Sequence, residues 1–313
     1  MNKSPLYYAK ILLFGEYGII NDAQGLSIPY NFYQGAFKTQ DSLAGKAAKS
    51  NQELFKFLGH LSSLQQQGEL LADLDLEAFK KDLEQGLYFD SSIPEGYGVG
   101  SSGAICAAIY DRYAQNRIDP ESNINRDTIL ELKRILGQME SYFHGKSSGL
   151  DPLICYLKLP IHISSKDELG TVNLPEPGNG KAAIFLLNSG QPGETQPMVK
   201  IFMDKMKNQG FRKVMKEEFN KYNDACVQAF LKGDSKPLFS NLKKLSHLAL
   251  EYFSPMIPQS FHELWKKGIE TNAYYLKLCG SGAGGYVLGF TRHCEGARKL
   301  LSGHQQGLIY RLS

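Results

Sequence analysis

The stretch from Pro94 to Ala104, PEGYGVGSSGA, limits what this chain can be more than any other. It packs four glycines and two serines into residues 96–103. Leu87, Phe89, Ser91 and Ile93 alternate with more polar neighbours before it, which predicts a strand. Ala104 to Tyr113 follows with a helix-like apolar stretch. A glycine loop that leaves a strand and opens a helix lets the backbone approach an anion closely. The unpaired N–H groups and dipole of the helix start then favour phosphate. Ser101 and Ser102 can add hydroxyl ligands to phosphate or Mg²⁺. The plainer alternative is a tight strand–helix turn with no ligand.

The class of phosphate loop narrows further. No G-x-x-x-x-G-K-[ST] is present, which excludes a P-loop NTPase. Gly98-Val-Gly100-Ser-Ser-Gly103 does fit G-x-G-x-x-G. A dinucleotide site also needs a second buried strand ending in an acid about 20 residues on. Asp111 to Ser122 is polar and contains Pro120, so a nicotinamide-dependent oxidoreductase is disfavoured. Charge removes another class: 35 Lys and Arg against 32 Asp and Glu leave +3, too little for a dedicated nucleic-acid binder.

The remaining bounds are coarse. Five widely spaced cysteines with no C-x-x-C argue against a disulfide framework or structural zinc and fit a reducing cytoplasm. The longest uncharged apolar runs are about seven residues, against roughly 20 for a membrane span. Lys3, Lys10 and Glu16 break up the N-terminal segment, so no signal peptide is expected. A length of 313 residues predicts two domains. The Gly-, Pro- and charge-rich segment Lys166 to Gly180 is the expected boundary, dividing the chain into 1–178 and 179–313.

Strand, turn, strand is expected over Tyr7 to Ile20. A helix with Leu54, Phe57, Leu58, Leu61 and Leu64 on one face spans Asn51 to Leu64. The clearest helix runs from Asp127 to Phe143, where Thr128 and Glu131 have capping-box spacing. A loop from His144 to Pro152 ends it. Lys181 to Asn188 predicts a buried strand, and Lys200 to Lys232 and Lys236 to Phe253 predict helices. A second glycine cluster, Gly280 to Gly285, sits between strand-like Tyr274–Leu278 and Tyr286–Phe290. Strands and helices without strict βαβ alternation give an α+β class.

Four side chains stand out. Glu140 lies near the edge of its helix's apolar stripe, so it is either a flanking surface charge or a carboxylate aimed into a cleft. His144 follows four residues later, and its plain reading is a structural hydrogen-bonder. Asp151 ends a Ser/Gly loop and would ordinarily be a turn residue. Lys10, between Ala9 and Ile11 on an apolar strand, needs a carboxylate partner if buried, and merely protects a sheet edge if not. No second histidine has metal-ligand spacing, so a transition-metal site is not expected.

Together these pieces resemble the GHMP kinases, and among them the mevalonate kinases most. Ala9-Lys10-Ile-Leu-Leu-Phe-Gly15-Glu16 resembles the family's P-G-K-x-x-L-x-G-E. Gly96 to Ala104 resembles P-x-x-x-G-L-G-S-S-A-A, and Lys277 to Gly285 resembles K-x-T-G-A-G-G-G. Glu140, His144 and Ser148-Gly-Leu-Asp151 resemble E-x-x-x-H-G-x-x-S-G-x-D. The matches span residues 9 to 285. Departures occur at Tyr8, Tyr17, Gly103 and Cys279, where the family has Pro-Gly, His, Ala and Thr.

The resemblance implies a two-domain α+β fold with the active site in the cleft between domains. It also implies an ATP- and Mg²⁺-dependent transfer of the γ-phosphoryl group to a small alcohol, mevalonate by preference, with no nucleic-acid or membrane partner. Another family acceptor, the diphosphomevalonate decarboxylase reaction and a non-catalytic ligand binder are the alternatives. The backbone of Gly96, Tyr97, Gly98, Val99, Gly100, Ser101 and Ser102 would hold the ATP phosphates. Gly282, Ala283 and Gly284 would shape the phosphate cleft. Ser102 and Glu140 would ligate Mg²⁺. Asp151 would be the base and Lys10 its partner. Glu16, Tyr17 and Ser148 would line the acceptor site, with Tyr17 setting acceptor preference.

Overall fold

The computed structural model describes residues 5–122, 124–165 and 168–312. Lys3 and Lys166, used above for the leader and the domain boundary, lie outside them. Strand β1 (Tyr7–Phe14) passes through a tight helical turn (Gly18–Asn21) into the long β2 (Gly25–Thr39). The second strand therefore starts later than expected, because Gly15 and Gly18 open a turn. Helices α1 (Gly45–Gln66) and α2 (Leu76–Glu84) precede β3 (Leu87–Ser91). Helices α3 (Ser101–Tyr113), α4 (Arg126–His144) and α5 (Leu150–Leu157) follow. Then come β4 (Ile161–Ser165), β5 (Glu168–Thr171) and β6 (Ala183–Asn188). Helices α6 (Thr195–Lys205), α7 (Gln209–Val214), α8 (Asn220–Leu231), α9 (Ser235–Tyr252) and α10 (His262–Thr271) lead to β7 (Tyr275–Leu278) and β8 (Tyr286–Thr291). The chain closes with α11 (Cys294–Leu300) and β9 (Gln306–Arg311).

Two compact units share these elements. One holds the chain up to Lys10, Pro29–Pro94 and Gly100–Leu159; the other holds Ile11–Ile28, Glu95–Val99 and the chain from Pro160. This differs from a single break after residue 178. The reason is that β1, β2 and the glycine loop each supply both units. Residues 35–39 of β2 pair antiparallel with β3, whereas Gly25, Leu26 and Ser27 pair with β4.

In the first unit α3 is the central helix. Ala104, Cys106, Ala107, Ala108 and Ile109 are fully buried, and their small side chains let neighbours pack close. Gly103 shows why: a Cβ there would stand 2.8 Å from the Pro152 nitrogen, so the starts of α3 and α5 meet backbone to backbone. The expected face of α1 is inward at Leu54, Phe57, Leu58 and Leu61, each burial contributing about 1.5–3 kcal/mol. The start of α4 differs from the expected capping box. Asn125 is its N-cap, and its side chain accepts from the Thr128 N–H at 3.0 Å.

In the second unit the sheet runs β7-β8-β6-β9, all antiparallel. Ala183 to Leu187 of β6 are all buried at its centre. Helices α8 and α9 pack on one another, and Trp265 of α10 donates to the Ser246 carbonyl at 2.9 Å. The helical stretch expected from Lys200 breaks at Asn208, whose side chain caps α7 by accepting from the Phe211 N–H. Among the described residues no helix is long and apolar enough to cross a membrane.

Candidate functional site

The glycine loop starts after β3 and ends as the first turn of α3. Gly96, Gly98 and Gly100 take φ of +77°, +75° and +81°, a region that other residues enter only at a cost. At Gly98 a Cβ would lie 2.3 Å from the Cys279 carbonyl oxygen; at Gly100 it would strike the Lys10 side chain at 2.9 Å. Gly100 caps α3, so the N–H groups of Ser101, Ser102 and Gly103 have no acceptor within the helix. Within the second unit the Gly96 carbonyl accepts from Gly193 at 2.8 Å, and Tyr97 accepts from Tyr286 at 3.3 Å. The Gly282–Gly284 turn holds Ala283 at φ +63°, with its N–H on the Met256 carbonyl. Gly193 carries no sequence signal beyond lying in a loop.

The first unit gathers a polar cluster around α3, α4 and α5. Lys10, buried on β1, places its Nζ 2.8 Å from Asp151 Oδ2. Asp151 lies in the first turn of α5 rather than in a loop, because the loop ends at Gly149. Pro152 fits there, since an early helical position needs no donor. The N-terminus of α5 and the Lys10 ammonium both lie beside the Asp151 side chain. Ser102 donates to Glu140 Oε1 at 3.0 Å and sits 2.9 Å from His144 Nε2. With the Ser102 proton given to Glu140, the His144 contact is made by an Nε2–H donor. Ser147 donates to Glu140 Oε2 at 2.5 Å and accepts from the Gly149 N–H at 3.0 Å.

Burial, then the nearby Asp151 charge, push the Glu140 carboxyl up to about 7, although the Ser147 and Ser102 hydroxyls oppose the shift. Loss of water around its ring lowers the His144 pKa. Ser147 was not singled out from the sequence; it is one of two adjacent serines, and spacing does not say which reaches Glu140. Ser148 is exposed, and its hydroxyl accepts from the Leu150 N–H at 3.4 Å.

Glu16 and Tyr17 lie in the second unit. Glu16 is buried, and Lys277 donates to its Oε2 at 2.5 Å and to the Leu278 carbonyl at 3.2 Å. Desolvation raises the Glu16 pKa, and Lys277 opposes that rise. Tyr17 holds φ +59°, uncommon for a side-chain-bearing residue. Its ring stacks on Phe253 and its hydroxyl donates to the Ser281 carbonyl at 2.6 Å. That proton is therefore committed to the third glycine segment. Lys277 stands in the third motif, and the argument used for Lys10 (a lysine on an apolar strand needs a partner) would have found it.

The donor set fits a nucleotide and a hard cation. Ser102 and Glu140 offer oxygen ligands of the kind Mg²⁺ takes, beside helix-start amides suited to phosphate. Among the described residues no three His, Cys, Asp or Glu side chains converge as a metal cage. Mg²⁺ ordinarily keeps several waters and substrate phosphates as ligands, so few protein groups suffice.

Residues 69–158 match the GHMP kinases N terminal domain. No curated protein matches the chain. Solved structures do, along nearly the whole length. A mevalonate kinase of L. major, in complex with R-mevalonate, is 15% identical with TM-score 0.64, covering 100% of this chain and 97% of its own. The Streptococcus pneumoniae phosphomevalonate kinase, bound to phosphomevalonate and AMPPNP, is 14% identical with TM-score 0.61, over 98% and 100%. The Lactococcus lactis galactokinase complexed with galactose is 13% identical with TM-score 0.61, over 98% and 93%. The chain thus has the fold of these kinases, and residues 69–158 match the GHMP kinases N terminal domain.

Proposed function

We propose that this chain is an ATP- and Mg²⁺-dependent kinase that phosphorylates an alcohol, with mevalonate as acceptor and 5-phosphomevalonate as product. The observation that carries the reading is the ion pair at 2.8 Å between the buried Lys10 and the partly exposed Asp151, set at the start of α5. The N-terminal domain match and the shared fold support the kinase class.

In this reading the Gly96–Ser102 backbone binds the ATP phosphates, and Gly282, Ala283 and Gly284 shape the loop facing them. Ser102 and Glu140 hold Mg²⁺, which when bound neutralises charge on the phosphates. Asp151 accepts the proton of the attacking hydroxyl at its carboxylate, and Lys10 holds that carboxylate in place. Phosphoryl transfer asks little more of a protein than such positioning and charge. His144 orients the Ser102 hydroxyl. Glu16, Tyr17 and Ser148 border the acceptor; the Tyr17 hydroxyl acts there by fixing the Ser281 backbone. Five free cysteines support a reducing, cytoplasmic setting.

A second reading changes only the acceptor. Lys277 occupies the Glu16 carboxylate, and Tyr17 has given its proton to Ser281. Mevalonate's carboxylate then needs a donor from elsewhere, and a different alcohol would not. ADP release with mevalonate, galactose and phosphomevalonate, each with and without EDTA, tests both readings. Metal-dependent release with mevalonate alone is the expected result. Release with another alcohol refutes the acceptor and keeps the kinase; metal-independent release, or none with any acceptor, refutes the kinase.

A further inference from the structure

Away from the glycine segments, the second unit carries a cavity of about 620 Å³ against α8, α9, β7 and the end of β8. That volume is in the range of small-molecule sites. Lys243, Lys244, His247 and Arg292 line it together with Tyr222 and Phe239. Glu218 is the one carboxylate residue in the lining, so fixed positive charge outweighs negative. His247 is 3.9 Å from Glu251 and adds a cation only when protonated. Among the described residues, Lys243, Lys244 and Arg292 form no ion pair with a carboxylate.

The cations are also held. The Lys244 ammonium stands 4.8 Å over the Tyr222 ring, and the Arg292 guanidinium stands 4.8 Å over the Phe239 ring. Lys243 donates to Asn272 Oδ1 at 2.7 Å. Phe239 is itself buried, which makes it a rigid wall. Long side chains already resting on aromatic faces lose less freedom when a ligand arrives, and their charge stays unspent. A merely solvated basic helix face has neither a concave volume nor cations seated on aromatic rings.

We propose that this cavity is a second ligand site, built for a phosphorylated organic anion with an aromatic or apolar body. Arg292 and Lys244 would bind the phosphate oxygens, the guanidinium through its paired N–H groups. Tyr222, which is half-buried, would cover the body, while the buried Phe239 supports the Arg292 guanidinium from beneath. Lys243 supplies further positive charge, which favours a dianion over a monoanion.

Phenyl phosphate, benzoate and inorganic phosphate isolate these features, titrated calorimetrically into the full chain. Phenyl phosphate should bind at least about tenfold tighter than either of the others, because it alone combines dianion and ring. The double variant Lys244→Ala/Arg292→Ala should weaken that binding by at least about tenfold, with circular dichroism unchanged. Lys243→Glu, a single exposed reversal on a different side chain, should weaken it in the same direction. Equal affinity in the wild type and these variants would place the anion elsewhere and overturn the proposal. So would benzoate or inorganic phosphate matching phenyl phosphate, or the absence of binding at millimolar concentration.

Discussion

Glu140 concentrates the residue-scale argument, since a single carboxyl is buried between Ser102 and Ser147. Its pKa rises from 4.5 to about 7, mostly through desolvation. An acid whose folded pKa exceeds its unfolded one holds its proton more tightly when folded. Its contribution is complete below pH 4.5 and is lost as pH rises through about 7. Relative to Glu140→Gln, the metal-free wild type should therefore lose roughly 3 kcal/mol between the two ends of that window. Melting curves in EDTA at pH 5 and 8 report it; identical pH dependence in both proteins would mean that Glu140 titrates normally. Asp151 makes the contrasting case, because the role proposed for it is chemical. Asp151→Asn should lower kcat by about 10²–10⁴ and leave ATP affinity nearly unchanged. More than about a third of the wild-type kcat surviving, far above that loss, would reduce Asp151 to a structural residue. Lys10 was legible as a strand lysine in need of a partner, whereas Glu140 and Asp151, open to structural readings in isolation, were singled out only by the resemblance of residues 140–151 to the kinase run. Ser147 was not, since only the folded path of the loop separates it from Ser148.

At the scale of elements, the glycines that matter are those at which two backbones meet. Gly149 begins α5 at φ +73°, and a Cβ there would sit 2.0 Å from the Lys133 carbonyl oxygen on α4. Neither neighbour is a flexible side chain, so Gly149→Ala must move a helix. The expected cost is about 3 kcal/mol or more, from strained φ and the backbone clash. Activity should fall with it, because Asp151 is carried two residues on. Gly59, exposed in the middle of α1, has nothing within 4 Å of a built Cβ. Gly59→Ala should instead stabilise by about 0.5–1 kcal/mol through helix propensity and unfolded-state entropy. Chemical denaturation of the two variants side by side decides the matter, and similar midpoints would remove the distinction drawn between them. The elements were legible where period was strong: α4 and β6 lie close to their expected spans, and α1 contains its expected span but starts earlier, at Gly45. Strands β4, β5 and β9 were missed, because short runs such as Ile161–Ser165 lack enough alternation to stand out. The cap of α4 was misassigned because Asn125 and Thr128 both have capping chemistry, and only the backbone turn selects between them.

For the molecule as a whole, the two compact units differ from a single break after residue 178, because strands are not obliged to end where units do. The sheet register of β2 lets one strand serve both, and no composition shift marks that. The Glu16–Lys277 pair closes the second unit across 261 residues of chain and is buried at both ends. A buried pair gains its Coulomb energy only against a large desolvation penalty, so the intact pair contributes little net stability. Breaking it is different. Lys277→Met leaves Glu16 buried without its cation, and Glu16→Gln leaves an ammonium without its anion. Each single variant should lose about 3–5 kcal/mol. In the double variant Glu16→Gln/Lys277→Met neither charge remains, and most of that loss should return. A thermodynamic cycle built from urea denaturation of the four proteins should therefore give a coupling energy of at least about 2 kcal/mol. Additive losses would show that the two side chains fold independently, and that the first and third motifs are joined by backbone packing and the Tyr17–Ser281 hydrogen bond instead.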